Sequence, residues 1–152
     1  MIQAKILWAD DEIEHLNAHI RFLTSKDYEV ITVTNGNDAL EELQEQDDID
    51  IVFLDENMPG LTGLETLEEV KRLYPSLPVI MITKSEEEYI MEDAIGSKIS
   101  DYLIKPVNPN QILLSLRKNL DSNKLVGQKV FSGYTQKFGQ LSMELSSARD
   151  LD

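Results

Sequence analysis

Short apolar runs alternate with amphipathic stretches along the first 121 residues of the chain. Three of these runs, KILWA, IDIVFL and VIMIT, are apolar at nearly every position, which is typical of parallel strands covered on both faces. The pattern predicts five strands: Lys5–Ala9, Glu29–Val33, Ile49–Leu54, Val79–Thr83 and Asp101–Ile104.

Between the strands, apolar residues recur three and four positions apart, as they do on one face of a helix. The pattern predicts five helices: Glu12–Ser25, Asn37–Gln46, Leu64–Tyr74, Glu86–Ile95 and Pro109–Asp121. Strands that alternate with helices fold as βα units with right-handed crossovers. The predicted fold is therefore α/β: a doubly wound (βα)5 parallel sheet of the flavodoxin-like order 2-1-3-4-5, with a C-terminal helical extension.

Residues 122–152 differ in pattern from the rest. The segment Asn119–Gln128 is polar and contains a glycine, as expected of a helix end or a linker. A heptad seam follows, with the 3-4-3-4 spacing of Phe131, Tyr134, Phe138, Leu141 and Leu145. Because one short helix cannot form its own core, we expect it to pack on the domain, on a second copy or on a further region. We therefore predict a domain at 1–121 and, at 122–152, a linker and amphipathic helix that begin a truncated following region.

Acidic residues outnumber basic ones, with 28 Asp and Glu against 14 Lys and Arg and a net charge of −14. Residues 1–121 carry the whole excess, since residues 122–152 are close to neutral. Such a surface repels a phosphate backbone, so we expect no direct nucleic-acid binding. The absence of cysteine, of a signal-peptide pattern and of an apolar run of about 20 residues predicts a cytoplasmic protein without a membrane segment.

Acidic residues stand directly after two of the predicted strands. Asp10 and Asp11 follow the first strand, and Asp55 follows the third. In the predicted order these strands are neighbours, so their carboxyl ends bring three carboxylates into one crevice. Like charges held this close need a compensating cation, and oxygen ligands of this kind suit Mg²⁺. The alternative is that Asp10 or Asp11 caps the first helix; three acids at neighbouring strand ends favour the metal site.

Two further polar side chains stand at the ends of the fourth and fifth strands. Thr83 ends the fourth strand, and Lys105 follows the fifth immediately before Pro106. Both are predicted to face the same crevice, where lysine supplies positive charge and threonine a hydrogen bond to an anion. Either residue alone would be an ordinary strand or surface residue, but five polar groups from four strand ends at one sheet edge indicate a shared site.

These motifs resemble the receiver domains of response regulators in bacterial two-component signalling. The matching segments are ILWADDE, IVFLDENMPGLTGLE, MITK and DYLIKP, and the resemblance covers about residues 3–121. It implies that Asp55 accepts a phosphoryl group from a sensor histidine kinase, and that Thr83 and Lys105 bind the phosphoryl oxygens. It also implies a cis peptide bond before Pro106.

The same resemblance implies a metal site and a switch. Mg²⁺ is expected at the carboxylates of Asp10, Asp11 and Asp55, with the backbone carbonyl of Asn57 as a further ligand. Tyr102 is expected to act with Thr83 as the switch that changes the output surface or the dimerisation state after phosphorylation. The implied partners are the sensor histidine kinase and a protein that contacts the output face. The apolar heptad seam adds a second copy of the chain, as a homodimer, to the expected partners.

Two functions are open from the residues: a phosphorylation-activated signalling module, and a Mg²⁺-dependent phosphoryl-transfer enzyme that forms a covalent aspartyl phosphate at Asp55. Haloacid-dehalogenase phosphatases use a second aspartate two residues after the nucleophile for acid–base work. Here that position is Asn57. The difference favours the signalling module, and the chain itself is predicted not to be an enzyme.

A finer similarity extends towards the C-terminus. The run KSEEEYIMEDAIGSKISDYLIKPVNPNQILLSL and the following VFSGYTQKF are similar to Bacteroidota regulators associated with type IX secretion. In those regulators a receiver precedes a helical bundle and a PglZ-type domain of the alkaline-phosphatase superfamily. The similarity implies that residues 122–152 begin such a bundle, and that any effector hydrolase lies outside this chain.

Two histidines offer a second possible metal site. His15 and His19 lie four residues apart in the first predicted helix, a spacing that can hold a metal ion. No further soft ligand lies near them in the sequence. The interpretation favoured here is that both are surface residues facing solvent.

Overall fold

The computed structural model describes the backbone of residues 1–131 and the side chains of residues 1–121. Within that part, five strands lie at Ala4–Ala9 (β1), Tyr28–Val33 (β2), Ile51–Leu54 (β3), Val79–Thr83 (β4) and Asp101–Ile104 (β5). Five α-helices lie at Asn17–Ser25 (α1), Gly36–Glu45 (α2), Gly63–Leu73 (α3), Glu88–Gly96 (α4) and Pro109–Phe131 (α5).

The strands form one parallel sheet in the order β2-β1-β3-β4-β5. This confirms the predicted fold class and strand order. Every residue of β3 and β4 is buried, as is nearly all of β1. Strands of a parallel sheet covered on both faces have no water-facing side, which explains their continuous apolar sequence.

An aromatic pair packs directly beneath the ends of the two central strands. Trp8 and Phe53 are fully buried on β1 and β3. Their ring centroids lie 5.1 Å apart at an interplanar angle of 81°, an edge-to-face contact. Such a pair adds about 0.5–1.5 kcal/mol beyond the burial of its surface. Asp10 and Asp55 lie two residues after Trp8 and Phe53, so both acids project from a tightly packed support.

The first predicted helix begins differently from the expectation. Residues Ile13–Leu16 form a 3₁₀ turn, and α1 itself starts at Asn17. Asp10 accounts for the tighter turn, because its Oδ1 accepts the Glu12 amide at 2.8 Å and its carbonyl accepts the Ile13 amide at 3.2 Å. These short-range bonds draw the chain back towards the end of β1.

The helix end expected within Asn119–Gln128 is wrong, because the backbone stays helical through this segment to Phe131. A single glycine costs an exposed helix only about 1 kcal/mol, and the segment contains no proline to end it. Except for Phe131, whose backbone ends α5, the residues of the predicted heptad seam lie outside the described part.

The chain divides into two compact units, Met1–Arg117 and Lys118–Asp152. The first unit contains the whole sheet and the α-helices α1–α4. For the second, the structure describes the helical backbone as far as residue 131. Among the described residues, no helix combines the length and apolar character needed to cross a membrane.

Candidate functional site

The site lies at the carboxyl ends of the inner strands. Asp10 and Asp55 directly follow β1 and β3, and Thr83 is the last residue of β4. The Asp55 amide donates to the Ala9 carbonyl at 3.0 Å, which fixes the end of β3 against the end of β1. Parallel strands place these ends at one edge, so residues far apart in the sequence meet there.

The three predicted acids do converge. One carboxylate oxygen from each of Asp10, Asp11 and Asp55 lies within 4.8 Å of the other two. Asp10 is completely buried, Asp55 is 5% exposed and Asp11 faces solvent. Exposed acids often cluster without a ligand, but two buried carboxylates this close require compensating charge. Oxygen donors open to water on one side fit Mg²⁺, which retains several of its waters.

Lys105 supplies positive charge within this cluster. Its Nζ lies 2.6 Å from Asp10 Oδ2 and 3.9 Å from Asp55 Oδ2, and its side chain is only 9% exposed. The peptide bond before Pro106 is cis, as the resemblance implies. The lysine therefore reaches both buried acids from the end of β5, as its sequence position predicted.

The alternative prediction, that Asp10 or Asp11 caps the first helix, is partly met by Asp10. Its Oδ1 accepts the Glu12 amide while its Oδ2 accepts from Lys105. The side chain thus organises the start of the following 3₁₀ turn and belongs to the acidic cluster at once. Neither Asp10 nor Asp11 is the N-cap residue of α1, which is Leu16.

Burial raises the pKa of the Asp55 carboxyl above its usual range. A hydrogen bond from Thr83 and the charge of Lys105 act in the opposite direction, and the nearby Asp10 raises the pKa further. Desolvation is the largest of these causes because it disfavours the charged carboxylate. A positive ion at the site would favour the ionised, nucleophilic form of Asp55.

Thr83 and Tyr102 are connected through the backbone of Ser85. The Ser85 amide donates to Thr83 Oγ1 at 3.2 Å, and the Tyr102 hydroxyl donates to the Ser85 carbonyl at 3.0 Å. Thr83 is fully buried and Tyr102 half-buried. Burial also raises the pKa of the Tyr102 hydroxyl. Sequence reasoning missed Ser85, since it contributes only backbone atoms and every residue type except proline could supply them.

The residues after Asp55 contain one further feature that the sequence analysis missed. Asn57 is exposed, whereas Glu56 is only 7% exposed. Burial raises the pKa of the Glu56 carboxyl, and the neighbouring Asp55 charge adds to this effect. The sequence signal for Glu56 was its place beside Asp55 at the end of an apolar strand, where a role was expected for Asp55 alone.

The interpretation of both histidines as solvent-facing is wrong for His19. His15 is exposed, but His19 is half-buried and its Nε2 lies 2.7 Å from the Val107 carbonyl. The ring thereby connects α1 to the loop after β5. Among the described residues, Asp10, Asp11 and Asp55 form the one group of three or more potential metal ligands. The histidine pair therefore has no third ligand beside it in that part of the chain.

A family model described as the response regulator receiver domain matches residues 6–117. The chain belongs to this family. Among its relatives, the transcriptional regulatory protein ZraR of Klebsiella oxytoca is 33% identical over 139 residues, which cover 91% of this chain and 31% of ZraR. The response regulator SaeR of Staphylococcus epidermidis is 28% identical, and the match covers 91% of this chain and 57% of SaeR.

Solved receiver structures have the same fold. The response regulator receiver domain protein from Clostridium thermocellum is 30% identical, with a TM-score of 0.76 over 81% of this chain and 98% of that one. A CheY-like receiver domain protein from Methanospirillum hungatei is 25% identical, with a TM-score of 0.76 over 80% of this chain and 96% of that one. The receiver spans about a third of the ZraR relative and the whole of these smaller chains.

Family membership decides between the two functions left open by the sequence. A receiver is a phosphorylation-activated signalling domain that accepts a phosphoryl group, and it is not a catalytic enzyme. Receivers are phosphorylated by sensor histidine kinases and bind Mg²⁺ at an acidic pocket. The described part of this receiver has one cluster of the corresponding kind, formed by Asp10, Asp11 and Asp55.

Proposed function

We propose that this receiver is cytoplasmic, that Asp55 is its phosphoacceptor, and that a sensor histidine kinase supplies the phosphoryl group. The setting of the Asp55 carboxylate supports the assignment. It is buried, the Thr83 hydroxyl acts to lower its pKa, and it lies 3.9 Å from the Lys105 ammonium. These two groups are placed to hold phosphoryl oxygens once that carboxylate carries them.

The ligands proposed for Mg²⁺ are the carboxylates of Asp10, Asp11 and Asp55 and the backbone carbonyl of Asn57. All four offer the hard oxygen atoms that this ion prefers. The close approach of the three carboxylate oxygens supports the set. When bound, the ion neutralises charge on the phosphoryl oxygens and holds donor and acceptor in line.

In the proposed transfer, a carboxylate oxygen of Asp55 forms a bond to phosphorus as the P–N bond of the kinase phosphohistidine breaks. The electron pair of that bond stays on the histidine nitrogen. The product is an acyl phosphate whose dianionic group attracts the Lys105 ammonium away from Asp10. Lys105 thus exchanges one buried acidic partner for another, which keeps its charge compensated throughout.

The switch is proposed to run through the Ser85 peptide. A phosphoryl oxygen would accept the hydroxyl hydrogen of Thr83, and the turn of the side chain that this needs draws Thr83 Oγ1 away from the Ser85 amide, which at present donates to it at 3.2 Å. When Thr83 turns to the phosphoryl group, the loop between β4 and α4 is released from it. Because the Tyr102 hydroxyl binds the Ser85 carbonyl, the position of Tyr102 changes with that loop.

The output face proposed for the homodimer lies on α4 and α5. Tyr89 and Ile95 on α4 and Leu114 on α5 are among the most exposed large apolar residues described, at 63%, 68% and 68%. A group of large apolar side chains on one exposed face is typical of an interaction site, whereas single exposed apolar residues are not. A second copy, or another protein partner of this face, would cover them.

Charge supports a second copy as the occupant of this face. The outer side of α4 carries the exposed acids Glu88, Glu92 and Asp93, and α5 presents the exposed Arg117. A two-fold arrangement places α4 of one copy against α5 of the other, so that opposite charges flank the apolar centre.

Residues 1–121 remain our proposed receiver and 122–152 the connection to a following region, with α5 continuous to Phe131.

The test of the phosphoacceptor uses a small phosphodonor such as acetyl phosphate with Mg²⁺ and intact-mass measurement. The wild-type chain should gain one acid-stable, base-labile phosphoryl group, and a chelator should prevent the gain. Asp55→Asn should gain none, whereas Asp48→Asn, at an aspartate outside the site and 63% exposed, should behave as wild type. An adduct that persists unchanged in Asp55→Asn would refute the assignment.

The test of the output face is sedimentation with and without a stable phosphoryl mimic. The mimic should strengthen self-association of the wild type, and both Ile95→Glu and Leu114→Glu should abolish it. Leu73→Glu is the matched control, because Leu73 ends α3 and is 47% exposed but lies on neither α4 nor α5. A wild type that stays monomeric at high concentration in every condition would exclude the dimer.

A further inference from the structure

Glu56 is a buried acid to which the proposed function gives no task. It directly follows Asp55, and 7% of its surface is exposed. A carboxyl group withdrawn from water costs stability unless a hydrogen bond or a charge compensates for the lost hydration. The hydrogen bonds of Glu56 therefore indicate what it does.

Those hydrogen bonds go to the start of α3, where the first backbone amides of a helix have no partner within the helix. The Gly63 amide donates to the Glu56 carbonyl at 2.9 Å, and the Leu64 amide donates to Glu56 Oε1, also at 2.9 Å. The next amide, of Glu65, donates to Thr62 Oγ1 at 3.1 Å as part of a capping box. Two of the three amides are thus satisfied by the residue that follows the phosphoacceptor.

Close packing reinforces this attachment. A Cβ added at Gly63 would lie 2.4 Å from the Asp55 carbonyl oxygen and 2.8 Å from Glu56 Cα. The first turn of α3 therefore rests directly on the peptide unit between Asp55 and Glu56. Together with the two hydrogen bonds, this contact closes residues 57–62 into a loop whose two ends are held together.

We propose that Glu56 is a positioning residue of the metal site: by binding the Leu64 amide, its carboxylate fixes the loop that presents the Asn57 carbonyl to Mg²⁺. The inference rests on the proposed function, because it uses the assignment of Asn57 as a ligand. It adds a role for a side chain that does not itself touch the ion. Groups behind the metal ligands commonly control affinity in this way, by setting the orientation of the ligands.

The chain offers variants that separate geometry from charge and from general stability. Glu56→Gln keeps an oxygen that accepts the Leu64 amide but removes the charge. Glu56→Leu removes the acceptor and leaves that amide unpaired. Thr62→Ala removes the cap of the neighbouring Glu65 amide, which weakens the same helix start without touching Glu56.

The experiment is a Mg²⁺ titration of the whole chain followed by Trp8 fluorescence, at constant pH and ionic strength. Glu56→Leu should weaken Mg²⁺ affinity by about tenfold or more, the usual effect of losing a group that orients a metal ligand. Glu56→Gln and Thr62→Ala should stay close to the wild-type affinity. Hydrogen exchange provides a measurement that needs no variant: saturating Mg²⁺ should slow exchange of the wild-type Leu64 amide.

Several outcomes would overturn the inference. Wild-type affinity in Glu56→Leu would exclude positioning by this carboxylate, and equal weakening in Glu56→Gln would assign the effect to charge. Equal weakening in Thr62→Ala would assign it to the stability of α3. If Glu56→Leu does not fold, unchanged Leu64 exchange on Mg²⁺ binding to the wild type would refute the coupling. Asp11→Asn separates failure of this inference from failure of the proposed metal site. Unchanged Mg²⁺ affinity in that variant would contradict the metal site itself.

Discussion

The buried ion pair between Lys105 and Asp10 gives a quantitative prediction for Lys105→Met. Removing one partner of such a pair costs about 3–5 kcal/mol, because the other charge stays buried alone. Asp10 has no exposed surface, and the two charged atoms lie 2.6 Å apart. Since Asp10 Oδ1 keeps the Glu12 amide, we expect the free energy of unfolding in Mg²⁺-free buffer to fall by about 3 kcal/mol, the lower end of that range.

Urea denaturation with linear extrapolation measures this loss. The matched control is Lys5→Met, which removes a lysine 2.8 Å from Asp48, whose side chain is 63% exposed. This pair is nearly as short as the buried one, but water and salt screen it, so the stability lost in Lys5→Met should be much smaller. In the double variant Asp10→Asn with Lys105→Met, position 10 no longer carries a buried unpaired charge, and only Asp55 still lacks the lysine, so part of the lost stability should return.

Mg²⁺ provides a second arm of the same experiment. The ion compensates the acids that Lys105 leaves unpaired, so saturating Mg²⁺ should bring Lys105→Met closer to the wild type. A ligand at a hundred times its dissociation constant stabilises the folded state by about 2.7 kcal/mol. The reasoning is refuted if Lys105→Met and Lys5→Met lose equal stability, or if the gap between Lys105→Met and the wild type is the same with and without Mg²⁺.

Three further predictions follow from burial, packing and hydrogen bonding around the site. Asp55→Asn should raise the free energy of unfolding in Mg²⁺-free buffer. Because burial raises the folded-state pKa of Asp55, the stability of the wild type falls as pH rises through that pKa. The advantage of the variant should therefore vanish towards about pH 4, where the carboxyl is protonated in both states. Urea melts from pH 4 to 8 check this sign. Gly63→Ala should lower stability by about 1–3 kcal/mol through overpacking, whereas Gly96→Ala, which meets nothing within 4 Å, should not lower it in the same melts. Tyr102→Phe should cost about 1 kcal/mol for the lost hydrogen bond to Ser85 while the Asp55 phosphoryl adduct still forms, as intact mass would report.

The sequence by itself determined the fold and the edge of the sheet at which the site lies. The period of the apolar residues identified the strands and helices, since each element must bury one face or both. Strand order then followed from the rules of βα connection. With that order, Asp10, Asp55 and Lys105 had to meet at one sheet edge, because each stands directly at the end of its strand.

Only the tertiary structure decided which side chains are buried and what they bind. Glu56 stands beside Asp55 like any acid after a strand, yet it turns towards the Leu64 amide, which a loop of several residues brings within 2.9 Å. His19 lies in an amphipathic helix, but its partner is the Val107 carbonyl, 88 positions away. Periodicity predicts which face of an element is buried, whereas these contacts depend on the paths of loops that carry no periodic signal. The end of α5 was missed for a related reason: local composition lowers helix stability at Gly127 without deciding where the helix stops.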